Sequence, residues 1–132
     1  MVLLDTTVLS NFSHIARLDL LRLALPDAVT TPHVIAELER GVSSGRLLNS
    51  EGEWLKVLKL APSEETRLTQ IRLVLDEGEA SCIAVAIERK IGLFSDDLDA
   101  RRYAQRLGIQ VSGTLGVLAF LIKRRHLTLA QA

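Results

Sequence analysis

Short apolar runs alternate with longer segments of helical periodicity along the chain, and this alternation is the feature that most restricts its fold. An apolar run of three or four residues is typical of a buried strand, whereas apolar residues three and four apart indicate an amphipathic helix. Strands that alternate with helices indicate a parallel sheet covered by helices on both faces. The sequence therefore predicts an α/β fold: a Rossmann-like three-layer sandwich with a parallel sheet of about five strands.

The predicted elements can be placed on the sequence. Strands are expected at residues 2–4, 28–30, 55–58, 91–94 and 109–111. Helices are expected at residues 7–25, 31–42, 62–75, 79–90, 98–107 and 115–124. Thr31 and Pro32 suit a helix start, because threonine caps a first turn and proline fits the first helical position. Gly108 suits a helix end.

The length of 132 residues fits a single domain, residues 1–132, with one core. Hydrophobic residues make up 48% of the chain, which is too many for a disordered protein. The single cysteine, Cys82, excludes an internal disulfide, suits a reducing compartment and is expected to be a small core residue. No signal peptide is recognisable, and the apolar stretch 115–122 is too short to span a bilayer. We therefore expect a cytoplasmic protein.

Basic and acidic residues are balanced at 16 each, so the overall charge does not indicate nucleic-acid binding. The last third of the chain nevertheless contains a group of cations: Arg101, Arg102, Arg106, Lys123, Arg124 and Arg125. These could contact the phosphates of an RNA strand, or they could form only a solvated helix face. Aromatic residues make up only 4% of the chain and lie mostly in apolar runs, which disfavours a base-stacking platform.

Acidic residues follow two of the predicted strands. Asp5 comes directly after the first strand, and Asp96 and Asp97 follow the fourth. Binding sites of open α/β sheets lie beyond the carboxyl ends of the strands. If the strand order is 3-2-1-4-5, these two strands are neighbours, and the carboxylates are expected to converge. Each aspartate could instead only cap the helix that follows it.

Two glutamates have positions that would fit the same site. Glu37 interrupts the apolar pattern of its helix, and Glu79 opens a helix after a glycine. Taken alone, Glu37 could be a solvent-facing helix residue, and Glu79 could be a partner of the helix dipole. The two glutamates become candidate site residues only when they are considered together with the other acids.

Four acidic motifs occur in a fixed order along the chain. They are Asp5-Thr6-Thr7, Pro32-x-x-x-x-Glu37, Glu77-Gly78-Glu79-Ala80 and Ser95-Asp96-Asp97-Leu98-Asp99. On an alternating α/β background this set resembles the PIN domain, and the resemblance covers nearly the whole chain. The segment 114–118 also resembles a family element that follows the last strand.

The resemblance implies a Mg²⁺- or Mn²⁺-dependent endoribonuclease that cleaves single-stranded RNA, and many small members resemble the toxin of a toxin–antitoxin pair. Matched by position, the core acids are Asp5, Glu37, Glu79 and Asp97, with Asp96 and Asp99 as auxiliary metal ligands and Thr6 and Ser95 as supporting hydroxyl groups. The spacing of the family motif favours Asp97 over Asp96 as the primary ligand. The third acid is frequently aspartate in the family, so Glu79 is a departure. The expected partners are RNA, an antitoxin protein and a second copy of the chain in a homodimer.

Carboxylates suit this chemistry because Mg²⁺ and Mn²⁺ prefer oxygen ligands. Crowded acids repel one another until a cation offsets their charge. A bound metal makes water a stronger nucleophile and stabilises charge on the phosphate and leaving oxygens. Zinc is disfavoured, because His14, His33 and His126 show no ligand spacing with Cys82.

Three other classes of protein share an α/β fold and are alternatives to a nuclease. A non-catalytic RNA- or protein-binding module of the same fold is the main alternative, and the complete set of four acids argues against it. A phosphoacceptor domain should have an aspartate after the third strand and a lysine after the fifth, and neither is present. A dinucleotide enzyme is excluded, because no G-x-G-x-x-G motif follows a strand.

Overall fold

The computed structural model describes residues 1–40 and 54–124. The strands in chain order are β1 (Val2–Leu4), β2 (Ala28–Thr30), β3 (Lys56–Val57), β4 (Gly92–Phe94) and β5 (Val111–Ser112). The helices are α1 (Thr6–His14), α2 (Leu18–Ala24), α3 (Pro32–Arg40), α4 (Pro62–Ile71), α5 (Glu77–Arg89), α6 (Leu98–Arg106) and α7 (Thr114–Lys123).

The strands form one parallel sheet in the order β3-β2-β1-β4-β5, which confirms the predicted order and fold class. The central strand β1 pairs with β4 in a register that places Leu4 opposite Phe94. The backbone N–H of Asp5 continues this ladder by donating to the carbonyl of Phe94 at 3.1 Å. The carboxyl ends of β1 and β4 therefore lie side by side, where parallel sheets commonly place their sites.

Helix α5 lies at the centre of the packing, and every residue from Gly78 to Ala86 is buried. It contacts α3, α4 and α6 as well as β1 and β4. Many of its buried residues are small, which allows the neighbouring elements to approach closely. Cys82 lies in this interior as predicted, with its sulfur 3.9 Å from the carbonyl oxygen of Leu4.

A buried ion pair joins α4 to α5. The guanidinium of Arg89 donates to both carboxylate oxygens of Glu64, at 2.7 and 2.9 Å, and also to the carbonyl of Lys59. Glu64 in turn accepts from the backbone N–H of Ala61 and so closes the first turn of α4. The side chain of Glu64 is 2% exposed and that of Arg89 34%. The pair therefore joins the start of α4 to the end of α5 through a carboxylate that is shielded from solvent.

The single helix predicted over residues 7–25 is wrong, because the chain forms α1 and α2 instead. The break lies at Ala16, whose φ of 55° is left-handed and cannot continue a right-handed helix. Phe12 and Leu18 are both buried on the two sides of the break, so the apolar pattern continues although the backbone turns. The pattern records which residues face the core and does not reveal this turn.

Several predicted boundaries are also corrected. Helix α5 begins at Glu77 rather than Glu79, because the carboxylate of Asp76 accepts from the backbone N–H of Glu79 and caps the helix two residues earlier than expected. Helix α4 ends at Ile71 rather than at residue 75. Strand β5 occupies Val111–Ser112 rather than residues 109–111, because Ser112 accepts from the N–H of Ser95 at the sheet edge.

The third predicted strand is shorter than expected. Lys56 and Val57 form β3 at the edge of the sheet, and both are exposed, whereas the flanking Leu55 and Leu58 are buried. The predicted helix 31–42 extends beyond α3 into residues that the structure does not describe. Within residues 1–40 and 54–124, no helix is long and apolar enough to cross a membrane.

Candidate functional site

Asp5 lies at the carboxyl end of β1, where it caps α1 and is only 1% exposed. One of its oxygens accepts from the hydroxyl of Thr7 at 2.6 Å and from the backbone N–H of Val8 at 3.2 Å. The other oxygen, Oδ2, is buried and has no hydrogen-bond partner among the described residues. Burial raises the pKa of Asp5 to about 6, although hydrogen bonds from Ser95, Thr7 and Val8 oppose the rise.

Ser95 and Asp97 occupy the neighbouring end of β4. The Ser95 side chain is fully buried, lies beside Asp5 and accepts the backbone N–H of Asp97 at 3.2 Å. The carboxylate of Asp97 caps α6 by accepting from the N–H of Ala100 at 2.9 Å. One buried hydroxyl thus lies between two of the predicted acids, and its supporting role stays a prediction.

Glu79 lies in the first turn of α5 and is 6% exposed. Its carboxyl group lies beside the carboxyl groups of Asp76 and Asp97. Its Oε2 atom is buried without a hydrogen-bond partner in the part of the chain that the structure describes. Burial, with repulsion from these two aspartates, raises the pKa of Glu79 far above its ordinary value.

Glu37 reaches the same edge from α3 and is half-buried. Its carboxylate accepts from the backbone N–H of Gly78 and, at 3.4 Å, from the hydroxyl of Thr6. Burial, followed by repulsion from Asp76, raises the pKa of Glu37 to about 7. Glu37 therefore faces α5 and the start of α1, not bulk solvent.

Asp76 belongs to this group of acids and was missed by sequence reasoning. Its side chain lies between Glu37 and Glu79 while it caps α5. Burial alone would raise the pKa of Asp76. Hydrogen bonds from Glu79 and Glu37 outweigh this effect and hold the pKa below its ordinary value. The available signal was the spacing Asp76-x-x-Glu79, in which an N-cap aspartate must lie one turn from the glutamate.

Two buried hydroxyl groups hold α3 against α5. Thr31 caps α3 by accepting from the N–H of Val34 at 3.1 Å, and its hydroxyl lies 2.7 Å from that of Ser81. Ser81 donates to the carbonyl of Gly78 at 2.7 Å. Because Gly78 also binds Glu37, these contacts connect the start of α3 to the position of its glutamate.

The acids form a continuous series of contacts at the carboxyl edge of the sheet. In order the series runs through Glu37, Asp76, Glu79, Asp97, Ser95 and Asp5. Among the described residues, no three histidine, cysteine, aspartate or glutamate side chains converge closely enough to hold one ion. The donor set still fits Mg²⁺ or Mn²⁺ in chemistry, because it consists of oxygens and includes the unpartnered buried atoms of Asp5 and Glu79.

Asp96 and Asp99 are placed differently. One carboxylate oxygen of Asp96 accepts from the N–H of Thr114, and the other accepts from the hydroxyl of Thr114 and the side chain of Asn11. Asp96 therefore joins α1 to the start of α7. Its negative charge also contributes to the raised pKa of Asp5 by electrostatic repulsion. Asp99 is exposed in the first turn of α6.

The predicted cations lie on α6 and at the end of α7. Arg101 is half-buried and donates to the carbonyl of Ser95 at 3.0 Å, beside the acids. Arg102 and Arg106 are exposed one turn apart, and the Nε of Arg106 donates to the carbonyl of Arg102 at 3.3 Å. Two more cations are exposed at the end of α7: Lys123 and Arg124. The prediction for Arg125 lies outside the described residues.

The acids of the four motifs lie along the carboxyl edge of the parallel sheet, but in the described part of the chain no three of them converge on one point. Residues 1–132 match the family described as "DUF3368: PIN domain". The chain belongs to this PIN-domain family. No curated protein matches the chain in sequence.

Two solved structures show the same fold. PAE2754 from Pyrobaculum aerophilum has a TM-score of 0.66 and 17% identity, and the match covers 92% of this chain and 96% of that one. FitAcB from Neisseria gonorrhoeae has a TM-score of 0.60 and 20% identity, over 87% of this chain and 99% of that one. At these identities the likeness is one of fold.

Proposed function

We propose that this PIN domain is a metal-dependent endoribonuclease that cleaves single-stranded RNA. The observation that carries the proposal is the burial of Asp5 and Glu79, each with one oxygen that has no partner among the described residues. A buried carboxylate without partners is costly unless it becomes neutral or pairs with a cation. Two such groups in one series of acids favour a site built for a cation.

In this proposal Asp5, Glu37, Glu79 and Asp97 hold Mg²⁺ or Mn²⁺, with Asp96 and Asp99 in auxiliary roles. When bound, the metal supplies positive charge for the phosphate oxygens and lowers the pKa of a water molecule. The chain itself orients the ligands. The hydroxyl of Ser95 holds the backbone of Asp97 next to Asp5, and the hydroxyl of Thr6 supports Glu37.

The substrate strand must approach an acidic edge, so nearby cations are needed to offset repulsion of its phosphates. Arg101 lies directly beside the site through its bond to Ser95, and Arg102 and Arg106 continue along α6. Lys123, Arg124 and, from sequence alone, Arg125 extend the positive charge. We propose that Arg101 contacts the RNA next to the acids. The exposed cations on α6 and at the end of α7 contact phosphates and thereby position the strand without reading its sequence.

The biological role proposed here is that of a toxin in a toxin–antitoxin pair in the cytoplasm, acting as a homodimer. Its support is the resemblance to small PIN-domain toxins together with the family membership. An antitoxin protein could inhibit the enzyme by placing a basic side chain among the acids, because an unpaired carboxylate group attracts such a partner. Co-purification with the product of a neighbouring gene, followed by loss of RNA cleavage on binding, tests this role.

Cleavage of labelled single-stranded RNA in the presence of Mn²⁺ tests the enzymatic proposal. We expect the wild type to cut, EDTA to stop cleavage, and Asp5→Asn and Asp97→Asn to lower the rate at least a hundredfold, about 3 kcal/mol of transition-state stabilisation. Asp27→Asn is the matched control, because Asp27 is exposed at the start of β2 and away from the carboxyl edge. Equal cleavage by wild type and Asp97→Asn would assign the activity to a contaminant or another site.

A non-catalytic binding module is a second candidate, and one observation favours it. The acids do not converge on one point in the described part of the chain, so the site is not arranged for an ion before one binds. A module of this kind would bind RNA or protein without cutting RNA at any metal concentration. The same cleavage experiment, combined with measurement of RNA binding, distinguishes the two functions.

A further inference from the structure

A pocket of about 310 Å³ lies next to the acids, between the start of α6 and the start of α7. We call it the Arg101 pocket. Its lining includes Asp96, Leu98, Arg101, Ser112, Leu115 and Gly116. Its volume lies at the lower end of the range for small-molecule sites, about 300–1,000 Å³.

The Arg101 pocket adjoins the proposed metal site through Ser95. The Nη1 of Arg101 donates to the backbone carbonyl of Ser95. The hydroxyl of Ser95 accepts from the backbone N–H of Asp97 and lies beside Asp5. Asp96 lines the pocket and directly precedes Asp97. An RNA strand with a phosphate at the acids therefore has a neighbouring nucleotide within reach of this pocket.

The chemistry of the Arg101 pocket suits a neutral, flat and partly apolar group. Two leucines are exposed at its edge, Leu98 at 57% and Leu115 at 82%. The one guanidinium, of Arg101, is balanced by the carboxylate of Asp96, so a phosphate would meet repulsion as well as attraction. A base has no charge and has apolar faces that can lie against leucine side chains.

The polar groups of the pocket favour one base in particular. Among the described residues, Arg101 donates through Nη1 to the carbonyl of Ser95, and its Nε and Nη2 atoms form no hydrogen bond. A guanidinium presents two parallel donors, and guanine presents two adjacent acceptors, O6 and N7, in the matching arrangement. Adenine presents a donor beside N7, and uracil presents an N–H between its two carbonyl groups. Cytosine has an adjacent acceptor pair, N3 and O2, but its single ring covers less of the leucine side chains than the two rings of guanine.

We propose that the Arg101 pocket binds a guanine base of the RNA strand and so sets the sequence preference of the nuclease. This inference rests on the proposed function and adds a specificity site to it. Arg101 is then a specificity-determining residue, whereas Arg102 and Arg106 contact phosphates of any sequence. Leu115 is 82% exposed, so its side chain contributes little to the core and is available to contact a base.

Binding of four labelled RNA heptamers in EDTA tests the proposal without cleavage. One heptamer contains only uridine, and the others have a single central guanosine, adenosine or cytidine. We expect fluorescence anisotropy to show about tenfold tighter binding of the guanosine heptamer by the wild type. Arg101→Lys retains a donor for the Ser95 carbonyl but lacks the two parallel donors, and it should remove the preference. Leu115→Ser, at an exposed position, should reduce it without affecting folding.

Two controls separate base recognition from general binding. Arg102→Gln should weaken binding of all four heptamers equally and leave the preference intact, because phosphate contacts carry no sequence information. Leu107→Ser changes a 50% exposed leucine at the other end of α6. It should alter neither the overall affinity for the heptamers nor the preference for guanosine.

The outcomes distinguish this proposal from the proposed function. Equal binding of the four heptamers by the wild type, with Mn²⁺-dependent cleavage intact, overturns the guanine site and retains the nuclease. No binding of any heptamer, together with no cleavage, overturns both. A third outcome is that Leu115→Ser changes the oligomeric state in solution while the wild type binds the four heptamers with equal affinity. The pocket is then a contact between protein molecules, and the guanine assignment is wrong.

Discussion

The backbone amide of Gly78 donates a hydrogen bond to the carboxylate of Glu37, and this contact joins the start of α5 to α3. A Cβ atom at position 78 would overlap the Glu37 carboxylate and approach the hydroxyl of Thr6 to 2.9 Å. Glycine is therefore required here by close approach of side chains and not by a left-handed backbone. The contact makes the position of Glu37 sensitive to a residue on another helix.

Gly78→Ala should displace the Glu37 side chain and weaken Mn²⁺ binding about tenfold, an effect typical of residues that orient metal ligands. The free energy of unfolding should fall by only about 1–2 kcal/mol, because the half-buried glutamate can move. Electron paramagnetic resonance of free Mn²⁺ measures the affinity. Gly92→Ala is the matched control, since its Cβ would lie 3.5 Å from the Gln110 carbonyl, an ordinary contact. Unchanged affinity in Gly78→Ala would remove Glu37 from the proposed ligand set.

Asp76→Asn should separate the two roles of this residue. Asparagine still caps α5, so the melting temperature of the metal-free protein should remain close to that of the wild type. The negative charge beside Glu37 and Glu79 is lost, so Mn²⁺ affinity should fall about tenfold. Asp76→Ala should lose the same affinity and in addition about 1 kcal/mol of stability. Wild-type affinity in Asp76→Asn would show that Asp76 is only a cap.

The metal-free protein should lose stability as the pH rises from about 4 to 7. The pKa values of Asp5 and Glu37 are raised to about 6 and about 7 in the folded chain. Their contribution is complete below the unfolded values, about 4, and is lost as the pH rises through the folded values. Urea denaturation between pH 5 and 8 measures the slope, which Asp5→Asn should reduce and Asp27→Asn should not.

Added Mn²⁺ should oppose this loss, because an ion that binds only the folded state stabilises it. The rise in melting temperature should be larger at pH 7.5, where more of the carboxyl groups are ionised, than at pH 5. Glu64 and Asp76 have lowered pKa values and titrate below this range, so they do not obscure the effect. A metal-induced shift that is absent at both pH values would contradict the metal site.

The pair of Glu64 and Arg89 should respond unequally to removal of its two members. Arg89→Met leaves the 2% exposed Glu64 carboxylate without its cation, and we expect a loss of about 3 kcal/mol. Glu64→Met leaves Arg89, which is 34% exposed and can turn toward water, so the loss should be smaller. Chemical denaturation at pH 7 measures both. Equal losses would mean that the burial of Glu64 does not determine the cost.

Arg102→Ala combined with Arg106→Ala should weaken binding of single-stranded RNA and reduce the salt dependence of the binding constant. Each lost phosphate contact lowers the slope of log K against log salt by about 0.7 for a single strand. Mn²⁺ affinity should not change, because both arginines are exposed on α6 and form no contact with the acids among the described residues. An unchanged salt slope would show that this face of α6 is only solvated.

The alternation of strands and helices was sufficient to predict the fold class, because this local pattern indicates a parallel sheet covered by helices on both faces. The strand order was an assumption that agrees with the structure, since local patterns do not show which strands are neighbours. The turn at Ala16 could not be predicted, because an alanine with a φ of 55° is held by its surroundings and not by its own preference.

The roles of two acids also depended on three-dimensional contacts. Asp76 looked like part of a helix break, and only the approach of α3 to α5 places it beside Glu37. Asp96 was expected to be an auxiliary ligand beside Asp97, yet its side chain faces Asn11 and Thr114, two residues far away in sequence. Whether an acid faces the site or a neighbouring helix end is decided by packing that no local pattern records.

The uninterrupted burial of α5 from Gly78 to Ala86 has a consequence for how this protein can diverge. The same short stretch holds Glu79, receives Glu37 through Gly78 and packs against helices on several sides. A substitution that enlarges one of its small residues shifts α3 or α4 and moves carboxylates with them. The packing of the core and the positions of the acids therefore depend on the same residues, and substitutions are best tolerated at the outer face of α4, which carries no residue of the proposed metal or RNA sites.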